Sequence, residues 1–136
     1  MDTNYTEKAR QLRSKGYNCA QAVACSFSDV VGLDEAIIFS MMEGFGGGMG
    51  GHQATCGALS GAVAIAGLVT SKGSVEGQTK ALTYEKSKAL VDAFAQRCKS
   101  LVCKELLGEE TGIELQSCDK CVEEAVLLVQ EMLQKK

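Results

Sequence analysis

Not one proline interrupts the 136 residues, and apolar side chains return every three or four positions rather than at every second one. Proline is the strongest breaker of helices, and apolar spacing of this kind turns one helical face toward a core, so the chain is confined to an all-α fold. A chain of 136 residues buries enough surface to fold without a disulfide or metal staple. The expected architecture is a single domain, residues 1–136, forming a bundle of about five helices around a buried central helix at 56–70.

Local punctuation agrees with that reading. Asn4 and Glu7 form a capping-box pattern ahead of a helix that stops near Gly16, and Asn18 with Gln21 repeats it ahead of a helix running towards Gly32. Asp34 caps a shorter segment that reaches Gly44, with Leu33 and Ile38 spaced as a hydrophobic staple. Residues 44–51, GFGGGMGG, are a loop, because glycine loses the most backbone entropy on ordering. The run CGALSGAVAIAGLVT, residues 56–70, is apolar on nearly every side and is the candidate central helix. Gly57 and Gly61, one helical turn apart, give it a face that another backbone or a bound group approaches closely. A long helix from near Ser74 or Glu76 to Val102 presents Leu82, Leu90, Phe94, Cys98 and Leu101. The last, Cys118 to Lys135, buries Val122, Val126, Val129 and Leu133, and its terminal lysines suit the negative end of the helix dipole.

With 14 basic against 17 acidic residues and a net charge of -3, the chain has no basic stripe for a phosphate backbone, which argues against nucleic acid as a partner. The longest apolar stretch, Ala62 to Val69, falls well short of the roughly 18 residues that cross a bilayer, so no membrane insertion is expected. The opening MDTNYTEKARQLRSK is polar where a secretory signal is apolar, which makes a reducing cytoplasm the expected location.

Seven cysteines then point to metal or redox chemistry rather than structural disulfides. Cys19 follows the cap Asn18, Cys56 follows Thr55 and Cys118 follows Ser117, so each falls at a helix start. Free N–H groups there stabilise a thiolate, and such cysteines drop from about 8.5 to roughly 3.5–7.5 in pKa. The spacing C-x4-C-x14-C-x2-C from Cys98 to Cys121 admits a zinc site, and Cys118 with Cys121 is also the arrangement of an attacking and a resolving thiol. Gly46 to Gly51 fits G-x-G-x-x-G, but no strand precedes it and a dinucleotide fingerprint is not expected. His52, the only histidine, is a candidate proton donor, a fourth ligand or a solvated loop residue. Met41, Met42 and Met49 suit a soft metal or the filling of core gaps.

Taken in order, NCAQAV at Cys19, CGALSG at Cys56, CKELLG at Cys103 and CDKCVEEAV at Cys118 resemble the C_GCAxxG_C_C family of redox-active proteins over nearly the whole chain. The resemblance implies that Cys19, Cys56, Cys103 and Cys118 are the active, metal-binding cysteines and that Cys25, Cys98 and Cys121 are extras. The open face of Gly57 and Gly61, and the position of His52 four residues before Cys56, make these three the candidate cofactor-binding residues. Split-Soret cytochromes c contain similar sequence in a region associated with an iron–sulfur cluster as well as haem; without C-x-x-C-H, covalent haem is not expected here. The leading expectation is electron transfer or iron–sulfur binding at these cysteines. The alternatives are an oxidoreductase-like thiol–disulfide or persulfide exchange protein and a zinc-stabilised interaction module. The partners implied are a redox protein the sequence does not identify and, as a homodimer, a second copy. The four cysteines are expected to converge.

Overall fold

The structure, a computed structural model, describes residues 4–134. Lys135, the expected end of the last helix, lies outside the described residues. Among those described there are eight α-helices and no strand: α1 (Tyr5–Ser14), α2 (Cys19–Ser26), α3 (Ser28–Val31), α4 (Glu35–Met42), α5 (Gly57–Thr70), α6 (Lys80–Cys98), α7 (Cys103–Leu107) and α8 (Cys118–Gln134). The chain is all-α, as its spacing predicts.

Helix α5 is the hub. It packs on α2, α6 and α8, while α1 closes the bundle against α2 and α8. Its Ala58, Leu59, Ala62, Ile65 and Ala66 are buried, which accounts for a run with no polar face. Gly61 makes the α2–α5 contact possible: a Cβ there would lie 2.7 Å from the Ala20 carbonyl oxygen. The close approach foreseen for Gly57 and Gly61 is therefore made by the backbone of α2.

The three predicted caps hold. Asn18 accepts from the Gln21 N–H at 2.8 Å while Gln21 accepts from the Asn18 N–H at 2.9 Å, a complete capping box. Asn4 and Asp34 cap α1 and α4 through the N–H groups of Glu7 and Ala36.

The differences have local causes. The helix expected to run from Asn18 towards Gly32 breaks at Phe27 (φ -104°, ψ 17°), whose fully buried ring stacks on Tyr5 with centroids 4.5 Å apart. The sixth helix begins at Lys80 rather than near Ser74, because Gln78 adopts a left-handed conformation (φ 56°, ψ 42°) that no helix propagates through. Leu82, assigned by spacing to the buried stripe, is 49% exposed; the stripe is covered only from Leu90 onward. Cys56 is the cap of α5 rather than its first residue, with extended backbone at φ -52°, ψ 131°. Residues 43–48 of the glycine segment form a tight 3-10 turn, interrupted at Gly46 and Gly47.

Candidate redox site

One antiparallel bridge, Thr55 to Val102, sets the geometry. The Cys56 N–H donates to the Leu101 carbonyl at 2.7 Å and the Cys103 N–H to the Ala54 carbonyl at 2.9 Å. The chain entering α5 is thus tied to the chain entering α7, and Cys56 and Cys103 are held side by side. Helix α8 reaches the same place through α1 and α2: the Arg13 Nε donates to Asp119 Oδ1 at 3.2 Å, and Cys118 begins α8 next to Cys19 at the start of α2.

The result is a cluster of six of the seven cysteines. The Cys19 thiol hydrogen-bonds the Cys118 sulfur. Hydrogen bonding with Cys56 and with Cys98, together with burial, pushes the Cys121 thiol up. Cys103 is close enough to feel the charge of Cys56 and of Cys118, and Cys56 in turn feels Cys118 and acts on Cys19. Among Cys19, Cys56, Cys103 and Cys118, every pair but Cys19 with Cys103 is close enough for the charge of one to act on the other. Cys25 stands apart, its thiol donating to the Glu35 carbonyl at 3.8 Å, and burial pushes it up to about 11.

These sulfurs are not equivalent. The hydrogen bond from Cys19 brings Cys118 down to about 6, with the Arg13 guanidinium and His52 adding to the effect against burial and Asp119. Cys19, as the donor and the more enclosed of the two, is pushed up. Cys56 is lowered by the hydrogen bond from Cys121 and by the N–H groups of Ala58 and Leu59, which point at its sulfur from the first turn of α5. Cys98 is lowered as well, through Cys121, but a thiol has one proton and cannot serve both neighbours at once. Cys56 has the backbone donors in addition, against burial and the charge of Cys118, whereas Cys98 has Gln116 as a further donor, against burial and the charges of Glu124 and Cys56. Cys103 is pushed up to about 11 by burial and by the neighbouring sulfurs.

The glycine segment is the wall of this site. A Cβ on Gly48 would sit 2.3 Å from the Cys103 Cβ, and one on Gly46 would sit 2.3 Å from the Asn18 side chain. A Cβ on Gly57 would sit 3.0 Å from the Phe45 carbonyl oxygen, 3.2 Å from the Ala20 nitrogen and 3.4 Å from the Cys19 Cβ. His52 lies in the same segment with its Nδ1 against the Glu109 carboxylate and its side chain 41% exposed.

Sequence reasoning selected the four converging cysteines and missed their neighbours. Arg13 carried no signal, being one basic residue on a polar helix, and it reaches the site only because α1 packs on α8. Cys98 and Cys121, set aside as extras, sit against Cys56. The C-x2-C spacing of Cys118 and Cys121 did not pair those two residues; each bonds a different cysteine.

The chain matches the profile of the C_GCAxxG_C_C family, described as "putative redox-active protein", over residues 17–132. It belongs to that family. No curated protein and no solved structure matches the chain. The match spans Cys19, Cys56, Cys103 and Cys118 as well as the glycine segment between them. No helix among the described residues is long and apolar enough to cross a membrane.

Proposed function

We propose that this member of the family transfers single electrons through an iron–sulfur cluster held by Cys19, Cys56, Cys103 and Cys118. The observation that carries the reading is the convergence of these four thiols from four separate segments, at the starts of α2, α5, α7 and α8. The donor set fits such a group in type and number, since iron–sulfur clusters take four cysteine thiolates. Among the described residues no three His, Cys, Asp or Glu side chains stand ready as ligands of a single metal ion. The thiols share protons with one another instead, and binding would release those protons. Bound there, the cluster supplies a one-electron couple whose potential follows sulfur hydrogen bonding and solvent exposure.

The chain's own residues serve that couple in distinct ways. Ala58 and Leu59 aim their N–H groups at the Cys56 sulfur and stabilise negative charge on it. Arg13 offsets charge on Cys19 and Cys118. Burial of Cys19, Cys56 and Cys103 keeps water from three sulfurs, and Cys118, the more open one, marks the edge nearest an electron partner.

Iron and acid-labile sulfide analysis of anaerobically purified full-length chain, with its visible spectrum, tests this. Brown protein with iron and sulfide in equal amount, bleached by dithionite, is expected. Colourless protein that takes up no iron on anaerobic reconstitution would remove the reading. The Cys19–Cys118 hydrogen bond favours a second one, dithiol exchange with Cys118 attacking and Cys19 resolving. In that case colourless protein would show a fast alkylation phase with a midpoint at about pH 6, since Cys118 is brought down to about 6 and reacts as its thiolate.

A further inference from the structure

Helix α5 carries no charged residue in its 14 positions, yet the bundle covers only part of it. Leu59, Ala62, Ile65 and Ala66 are buried, while Ser60, Val63, Ala64, Gly67 and Leu68 stay half open. Helices α4 and α5 both pack on α2, and the open side of α5 is the floor of a groove between them. The groove consists of two adjoining hollows of about 380 and 470 Å³ that share Met41, Met42 and Ala64. No charged side chain lines either one, in contrast to the hollow between α6 and α8, which Glu85, Lys86 and Glu131 line. Along one edge stand Ile37, Met41 and Phe45, spaced four residues apart and 51%, 54% and 40% exposed. We propose that this face is a homodimer interface, in which the Ile37–Met41–Phe45 ridge of each copy seats in the α4–α5 groove of the other across a two-fold axis.

Three features make the occupant a second copy of this chain. The first is Gly67. Glycine inside a helix loses backbone entropy that alanine would not. Gly57 and Gly61 of the same helix are required by the backbone of α2, whereas a Cβ on Gly67 would meet nothing within 4 Å. Gly67 lies on the groove floor, so the close approach it permits is to a group from outside the chain. The second feature is shape. A ridge of long apolar side chains and a floor of small residues adjoin on one face, and a two-fold axis between them satisfies both at once, because ridge meets floor in each direction. Two copies of a chain with net charge -3 repel each other, and a charge-free face adds nothing to that repulsion. The third is area. The chain exposes 7691 Å², where a compact monomer of 14.4 kDa exposes about 6,800 Å². The excess, roughly 850 Å², matches the about 800 Å² that each partner gives to a standard interface.

Met41 suits the role of the inserted side chain, being unbranched and able to fill an irregular hollow. The groove ends at Phe45 and Thr55, and Thr55 is followed in the chain by Cys56. Dimerisation therefore covers the flank of the segment that leads into the redox site. It uses none of the cysteines as contact groups, so its outcome is separate from whether iron binds.

Sedimentation equilibrium of the full-length chain, kept reduced to exclude intermolecular disulfides, tests this at concentrations up to on the order of 100 µM, where interfaces of this size are populated. The expected mass is twice 14.4 kDa. Met41→Glu should raise the dimer Kd on the order of a hundredfold, because a carboxylate would enter an apolar contact without a partner. Gly67→Leu should do the same by filling the floor, while the open space around Gly67 leaves the monomer folded, which circular dichroism checks. Ile113→Glu, at a residue 67% exposed and outside the groove, should leave the dimer unchanged. Wild-type chain that is monomeric throughout the range would overturn the proposal and leave the face to a different protein or a lipid surface. So would a dimer that survives in folded Met41→Glu and Gly67→Leu, or an assembly that grows past two copies, since a two-fold contact closes on itself.

Discussion

Anaerobic protein carrying Cys19→Ala, Cys56→Ala, Cys103→Ala or Cys118→Ala is expected to lose bound iron on the order of tenfold or more, while Cys25→Ala retains it. The four come from four different segments that the fold brings together, so each removes a corner that no neighbouring loop can supply. Cys25 makes a buried hydrogen bond to Glu35 and touches none of them, which makes it the control for the cost of deleting a buried sulfur. Cys121→Ala is the informative fifth variant. Its thiol is a donor to Cys56, not a corner of the site, so iron content should survive and the potential should move, because a hydrogen bond to a ligating sulfur is lost. Iron and sulfide assays on the variants, with circular dichroism to confirm folding, check the set.

Gly48→Ala should cost about 2–4 kcal/mol of stability, combining backbone strain with overpacking. Gly48 sits at φ +69°, and the added Cβ would meet the Cys103 Cβ at 2.3 Å and the Cys103 sulfur at 3.1 Å. Nothing flexible lies on that side, since Cys103 is tied by its N–H to Ala54. Gly51→Ala provides the contrast: its φ is +80° with nothing within 4 Å of the new Cβ, so only the strain remains, about 1–2 kcal/mol. Urea unfolding of the two variants measures the difference. Equal destabilisation would mean that Gly48 is a turn residue only and that the glycine segment does not wall the cysteine site.

Much of this was legible in the chain. Caps are local chemistry, so Asn4, Asn18 and Asp34 marked helix starts that the structure keeps. The central helix was visible because a helix with no polar face has only one place to go. Cys19, Cys56 and Cys118 could be selected because they stand at helix starts, and Cys103 because it matches the family pattern. What was not legible depends on packing between segments far apart in sequence. The Thr55–Val102 bridge that sets Cys56 beside Cys103 is a single isolated pair with no strand pattern around it. The break at Phe27 follows from stacking on Tyr5 in another helix. Cys98 and Cys121 read as core residues on apolar stripes, and they are core residues; that their stripes of α6 and α8 meet beneath Cys56 is a fact of three-dimensional placement. Arg13 belongs to the same class, since a charge acts on whatever the fold brings near it.

An anaerobic potentiometric titration of the purified chain, followed by visible absorbance, tests the central claim most directly. Electron transfer at a centre held by Cys19, Cys56, Cys103 and Cys118 predicts a chromophore that bleaches on reduction with a Nernst slope of about 59 mV per decade, the value for one electron. Protein without a chromophore, whose only reversible couple is a thiol–disulfide transition with a slope of about 30 mV per decade, would contradict it.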